Sequence, residues 1–490
     1  MAVGAGAFGN LADDLARWAE RAQADAASLF EPSLRLGVTG LSGAGKTIFI
    51  TSLAANLLRR GRMTGLRAEA EGRILATMLT PQPDLDAPRF QFEEHLEALY
   101  AQPPHWPEST RSISQLRLSI RYRPDTLLGR LTGESGLHLD IVDYPGEWLL
   151  DLGLMEKSFA VWSEEAIAGV ERRAARGGAD EAKAAQAFLT WLAEREAAAE
   201  AVSPLDEPEL QKGAAAFAEA LKAAKRAGAA ALAPGRMLLP GDLEGAPALT
   251  FAPLRPAAGE ALRKEMARRY EGYKRLVVKP FFRDHFARLD RQIVLVDALG
   301  AVSRGPSAVK ETAQALRDIM AAFRPGSNSW LAQLLGPALG GRRVEKLLLA
   351  VSRADHIHHE SHGALAALVR DLLARSVDRA AYLGAEVEAM AIAAIRATVE
   401  DELREGALPG GRRLRAVKGR LQGKPGRASL YPGEPPHSLG EILSAGENWD
   451  RESFEIPDFA PPILERRADE GPPHLRLDQA VQFLIGDRLA

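Results

Sequence analysis

An α/β fold built on a doubly wound, mostly parallel sheet is what this chain predicts, and two stretches predict it. Residues 34–47 read LRLGVTGLSGAGKT: Leu34, Leu36 and Val38 alternate as a strand, a glycine-rich turn follows, and Phe49, Ile50, Leu53, Leu57 and Leu58 continue as an apolar helix face. Farther on, RQIVLVD (291–297) is a continuous apolar run, the mark of a strand buried on both faces. It is followed by a helix at 307–323, a second buried strand at 346–351, a helix at 362–378 and a third strand at 387–395. Strand and helix in strict alternation predict parallel pairing.

The other elements follow in chain order. Phe8, Leu11, Leu15, Trp18, Ala22, Ala26 and Leu29 share one face of an N-terminal helix within residues 1–33. Mixed charge on the other face favours packing on the protein over lying on a membrane. Residues 34–151 form the first part of the core. Within it, 61–113 is rich in proline and polar residues and is expected to be mostly irregular, whereas QLRLSIRYR (115–123) alternates as a strand and 137–142 as another. Residues 152–285, rich in alanine and charge, read as a helical insertion, and 286–400 as the return to the core. The segment 401–475 is basic, then Pro-rich, and reads as a small β-containing unit; 476–490 closes with a helix.

Composition bounds the function. The chain has 490 residues, 46% hydrophobic and 26% charged, as soluble proteins do. A net charge of −3 argues against a dedicated nucleic-acid binder. The absence of cysteine removes disulfides, thiolate metal sites and thiol catalysis. No run approaches the ~18 apolar residues of a spanning helix, so a cytoplasmic protein is expected.

Gly40-Leu41-Ser42-Gly43-Ala44-Gly45-Lys46-Thr47 has the spacing of a P-loop, in the strand-to-helix context that the motif requires. A phosphate chain is caged most cheaply by inward-pointing backbone N–H groups at the positive end of a helix dipole. Gly40, Gly43 and Gly45 give the curl, and Ser42, Ala44 and Ile48 belong to the same cradle. Lys46 reaches the β and γ phosphates, and the Thr47 hydroxyl ligates Mg²⁺.

Other motifs choose among nucleotides. Asp143-Tyr144-Pro145-Gly146 ends a strand, where Asp143 holds Mg²⁺ through water and the Gly146 N–H meets the γ-phosphate, as the DxxG element of GTPases does. Ser352-Arg353-Ala354-Asp355 stands where the guanine-reading Asn/Thr-Lys-x-Asp motif is expected, though degenerate at two positions. Asp355 accepts from guanine N1 and N2, donors that adenine lacks, while the Arg353 stem lies along the base. Ala394 and Ile395 occupy the place of a backbone N–H to guanine O6. Thr110, just before strand 115–123, is the best-placed threonine to contact γ-phosphate and Mg²⁺, with Thr77 and Thr80 as competitors.

On these residues the chain resembles the YcjX-like P-loop proteins, a group of bacterial stress-associated GTPases. The resemblance runs through VTGLSGAGKTIFITSL (38–53), DYPGEWLLDL (143–152), RMLLPGDLEGAPALTF (236–251), YKRLVVKPFFRDHFARLDRQIVLVDAL (273–299), SRADHI and AAIRAT. It implies a Ras-like GTPase core with a helical insertion, binding GTP or GDP with Mg²⁺, discussed beside a partner membrane protein and so peripheral to the inner membrane. The expected activity is hydrolysis of GTP to GDP and phosphate. Glu147 stands where Ras-like enzymes carry a glutamine, and slow turnover on the order of 10⁻⁴–10⁻² s⁻¹ is expected. Faster turnover requires an arginine from the insertion, from Arg111 or from a second subunit in a nucleotide-dependent homodimer.

Two further signals carry less. His356, His358, His359 and His362 crowd the region after Asp355 without a third local zinc ligand, so a solvated or bracing role is expected. The basic stretch 412–427 suits anionic lipid or a solvated sheet face; without interleaved aromatics, nucleic acid is not expected. Besides a hydrolysing switch, a GTP-binding scaffold without turnover and an ATP-using P-loop enzyme stay open.

Overall fold

A computed structural model describes residues 31–490 except 42, 86, 109–111, 126–132, 199–205, 231, 285–287, 323–343, 373–384, 405–412, 437, 439–440, 443 and 445–453. The N-terminal helix expected at 8–30, Ser42, Thr110 and Arg111 lie outside the described residues.

The first strand, β1 (Ser33–Gly40), enters the glycine-rich loop and leads into helix α1 (Lys46–Leu58). It sits at the middle of a seven-stranded sheet with β2 (Ile74–Thr80), β3 (Ser114–Tyr122), β4 (Ser135–Asp143), β5 (Arg291–Val296), β6 (Lys346–Val351) and β7 (Glu386–Ala391), in the order β2-β3-β4-β1-β5-β6-β7. β1 pairs in parallel with β4 and β5, and parallel pairing continues through β6 to β7. Only the β2–β3 and β3–β4 pairs are antiparallel, so β3 alone is reversed in this sheet. The mostly parallel α/β sheet that the sequence predicts is therefore the observed one.

The apolar runs are continuous because each strand feeds two cores. Ile293, Leu295, Leu348 and Ala350 face one core with α1, whereas Val294, Val296, Leu347, Leu349 and Val351 face the other. Side chains alternate across a strand, so a strand covered on both faces is apolar at every position. The first core is closed by a C-terminal helix, α9 (Leu477–Ile485), and the second is continuous with the helices inserted after β4.

Those helices are α3 (Phe159–Arg176), α4 (Ala179–Ala197), α5 (Glu207–Arg226) and α6 (Glu260–Tyr273). Trp162 stacks on Tyr270 at 5.0 Å and meets Phe217 and Phe251 edge-on, an aromatic hub joining three of the helices. Downstream come α7 (Pro306–Ala322) and α8 (His362–Leu372), and a small antiparallel sheet of β8 (Thr398–Arg404), β9 (Arg413–Arg420) and β10 (Arg427–Leu430).

The 61–113 connection is mostly irregular, as expected, but it also holds two longer elements the sequence pattern does not announce, the edge strand β2 and helix α2 (Phe92–Tyr100). β2 is fully buried only at Ile74, and α2 buries only Phe92 and Leu99, so neither gives a clear apolar period.

Candidate functional site

The loop after β1 has the backbone its glycines allow. Gly43 and Gly45 take φ of 80° and 86°, left-handed values that other residues rarely adopt. At Gly40 the restriction is space, because an added Cβ would lie 2.5 Å from the Leu295 carbonyl oxygen. Lys46, the first residue of α1, curls back to donate from Nζ to the Gly40 carbonyl at 2.6 Å. Its ammonium is thereby held over the loop's own concavity.

A cavity of about 590 Å³ opens at this loop. Gly43, Ala44, Gly45, Lys46, Thr47 and Ile48 line one end, and Arg353, Asp355, Ala394 and Ile395 line the other. With Glu147, which also lines it, eleven of the sequence-selected positions share one space, although they come from four separate segments. Parallel order explains this, because β1, β6 and β7 all end at the same edge of the sheet, where loops of doubly wound folds meet their ligands.

Asp143 and Gly146 approach from β4. Asp143 stands opposite Val38 in the parallel register, two residues before the loop begins, and is buried. Gly146 starts a short helix, Gly146–Leu150, and a Cβ there would lie 2.2 Å from the Gly40 carbonyl oxygen. The DxxG glycine is thus pressed onto the phosphate-type loop backbone to backbone. Thr47 and Asp143 offer a hydroxyl and a carboxylate, the hard oxygen donors that Mg²⁺ prefers.

Glu147 is 5% exposed, and its Oε1 accepts from Lys225 Nζ at 2.8 Å. Burial pushes its carboxyl up, but the charges of Lys46 and Lys225 outweigh that and hold it below the ordinary glutamate value. Lys225 comes from α5 of the insertion and lines the same cavity.

At the far end Asp355 is buried, and its Oδ2 accepts from the N–H groups of Ala397 at 2.7 Å and Thr398 at 3.2 Å. Its Oδ1 lies 4.0 Å from His356 Nε2. Arg353, in a left-handed conformation at φ 59°, pairs with Asp297 at the end of β5. Burial pulls the Arg353 pKa down, but Asp297 more than restores it. The loop after β7 is braced from the C-terminal segment: Ala393 donates to Leu475 O at 3.0 Å and Arg396 to Pro473 O at 2.7 Å. Ser52 of α1 donates to Ala394 O at 2.5 Å.

Residues 34–489 match the family model described as YcjX-like family, DUF463. The chain belongs to the YcjX-like family. Proteins called Ras-like GTPase YcjX resemble it throughout: one from Escherichia coli K12 is 35% identical over 475 residues, spanning 93% of this chain and 96% of that protein. Another, from Shewanella oneidensis MR-1, is 38% identical over 489 residues, spanning 93% of this chain and 94% of that protein.

The structure brings residues to this YcjX-like cavity that the sequence did not single out. Trp106 and Phe459 line it, joined by Trp106 Nε1 donating to Phe459 O at 2.9 Å, and the His356 ring meets Phe459 edge-on. Proline-flanked Trp106 is a faint signal, but Lys225 gives none, because it is one of three lysines on an alanine-rich amphipathic helix. The histidines serve structure. His362 Nε2 lies 2.7 Å from Ala354 O while Arg476 meets its other nitrogen, and His359 Nδ1 pairs with Glu400 at 2.9 Å. His358, His359 and Glu360 bring potential ligand atoms within 4.8 Å of one another, yet Glu360 is paired with Arg415.

Proposed function

We propose that this chain binds GTP and GDP with Mg²⁺ and hydrolyses GTP slowly, as a regulatory switch. The observation that carries the reading is the single cavity with Lys46 and the left-handed glycines at one end and Asp355 at the other. Its volume of about 590 Å³ lies in the range of small-ligand sites. The names of the two relatives, Ras-like GTPase, support the same reading.

In this arrangement the N–H groups of the 40–48 loop and the Lys46 ammonium hold the phosphates, with Ser42 in the same cradle. Thr47, Asp143 and Thr110 would hold Mg²⁺, whose charge would offset that of the phosphates. Asp355 reads guanine with Oδ1, because Oδ2 is engaged by Ala397 and Thr398. Ala394 and Ile395 are the remaining backbone donors for O6, since Ala393, Arg396 and Ala397 already donate elsewhere. Arg353, tethered to Asp297, offers its stem to the base.

Glu147 accepts a hydrogen bond from the attacking water but cannot donate to the transferring phosphoryl group, and its lowered pKa makes it a weak base. Turnover on the order of 10⁻⁴–10⁻² s⁻¹ follows, the range of GTPases that receive no group from a partner protein. We assign the core to residues 34–151 and 286–397, the insertion to 152–285 and the small basic unit to 398–475, its start moved from the expected 401 because strand β8 begins at Thr398. A cytoplasmic protein acting at the inner-membrane surface in a bacterial stress response fits the family resemblance; no described helix is long and apolar enough to cross a membrane.

Calorimetry with GTP, GDP and ATP in Mg²⁺ tests the reading. GTP is expected to bind at least ~100-fold more tightly than ATP, because a site built for guanine leaves polar groups unpaired against adenine. Lys46→Ala is expected to abolish tight binding. Equal affinity for ATP and GTP, or a Lys46→Ala variant that binds as wild type, overturns it. Single-turnover hydrolysis then separates a switch from a scaffold.

A further inference from the structure

We propose that Lys225, carried by the helical insertion, is the chain's own cation for the terminal phosphate of a bound nucleoside triphosphate. The proposal rests on the nucleotide reading and adds to it a residue from outside the phosphate loop. Lys46, Glu147 and Lys225 are among the charged residues that line the cavity beside the glycine-rich loop. Lys46 serves the phosphate chain from within the loop, where it also donates to Gly40 O, while Glu147 accepts from Lys225 and feels the charge of both lysines.

The position of Lys225 is built rather than incidental. It is the next-to-last residue of α5, whose preceding turn is fixed by the buried Leu221, Ala223 and Ala224. The helix stops directly afterwards, where Gly228 takes φ of 93° and Ala229 donates back to Ala224 O at 3.0 Å. A cation also suits the negative end of a helix. The side chain itself keeps a quarter of its surface exposed, so it has room to shift from Glu147 toward an incoming anion.

Charge explains why a glutamate is tolerated after the DxxG glycine. A lone carboxylate there would repel a γ-phosphate, but the Glu147–Lys225 pair is neutral as a unit. When a triphosphate enters, the lysine ammonium has three N–H donors and is shared between Glu147 Oε1 and a terminal phosphate oxygen. Glu147 becomes the positioning residue of that cation. The insertion thereby supplies in cis the positive charge that other GTPases receive from an arginine.

The test uses the full chain and compares affinities for GDP and the slowly hydrolysed GTPγS by displacement of a fluorescent GDP analogue, with single-turnover GTP hydrolysis beside it. Lys225→Ala and Lys225→Gln are expected to lose roughly 10–100-fold of the preference for GTPγS over GDP, the worth of one charge-assisted contact. Hydrolysis is expected to fall alongside. Lys225→Arg is expected to restore most of both, and matching melting curves show that the variants are folded. Wild-type preference in Lys225→Ala and Lys225→Gln overturns the proposal. So does recovery of the preference in the double variant Glu147→Gln, Lys225→Ala, which would reduce Lys225 to a neutraliser of Glu147. Wild-type protein that binds no guanine nucleotide overturns the underlying reading instead.

Discussion

At Asp355 one oxygen has a structural duty and the other a proposed reading duty, and the two can be separated by substitution. Oδ2 braces Ala397 and Thr398, so an asparagine placed here keeps its carbonyl on those donors and turns its NH₂ toward the base. That amide complements the C2 carbonyl of xanthine rather than the N2 amine of guanine. Asp355→Asn is therefore expected to lose GTP affinity by at least ~10-fold and gain xanthosine triphosphate affinity, measured by competition. Unchanged selectivity would place the base elsewhere. At Gly146 the constraint is contact, because a Cβ would lie 2.2 Å from the Gly40 carbonyl oxygen, where neither backbone yields cheaply. Gly146→Ala is expected to cost about 1–3 kcal/mol in a denaturant titration, as overpacking does, and to weaken GTPγS binding more than GDP binding. These residues were legible in the sequence because phosphate and base recognition depend on local spacing. Lys225 was not legible, because its meaning depends on where α5 ends in space.

Among elements, the short helix Gly146–Leu150 and the turn after it are gripped by the insertion. A Cβ on Gly235 would lie 2.1 Å from Glu147 O, the Arg236 guanidinium stacks over the Trp148 ring, and Trp148 Nε1 donates to Leu239 O at 3.1 Å. Asp151 fastens the junction, accepting from Gly235 N at 2.6 Å, Arg236 N at 3.3 Å and the Tyr273 hydroxyl. Burial outweighs these donors and pushes the Asp151 carboxyl up to about 6. A raised carboxylate pKa means that the folded chain holds this proton longer than the unfolded one. Its stabilising contribution is full below the ordinary aspartate range and is lost as pH rises through about 6, a difference of about 3 kcal/mol. Asp151→Asn is neutral throughout, so its stability relative to wild type is expected to improve steadily between pH 4.5 and 7 in parallel urea titrations. A constant difference across that range would show that the carboxylate titrates normally. The motif RMLLPGDLEGAPALTF marks this segment in the sequence, but its reach back to 147–151 was invisible there. The same holds for β2 and α2, whose weak burial pattern hides elements that only tertiary pairing reveals.

For the whole molecule, the C-terminal segment binds the two ends of the cavity into one body. Residues 471–475 run past α1, where Asn56 donates to Pro472 O at 3.1 Å and Gly471 N donates to Arg59 O at 3.2 Å, and then pair with the loop after β7. Helix α9 next buries Leu477, Val481, Leu484 and Ile485, with Leu489 beyond it, against the same core as β1 and α1. Arg291, fully buried on β5, donates to Leu484 O at 3.0 Å and to Asp487 at 2.7 Å. Deleting residues 476–490 would expose five large apolar side chains' worth of core at roughly 1.5–3 kcal/mol each and take Leu484 O and Asp487 from the buried Arg291, leaving it Glu345. That sum, about 7–15 kcal/mol before chain entropy is counted, equals the whole stability of a typical folded protein. The truncated chain is therefore expected to show no cooperative melt and no nucleotide binding. A truncated protein that melts near the wild-type temperature and still binds GDP would show that α9 is an appendage and that the phosphate end of the cavity stands without it.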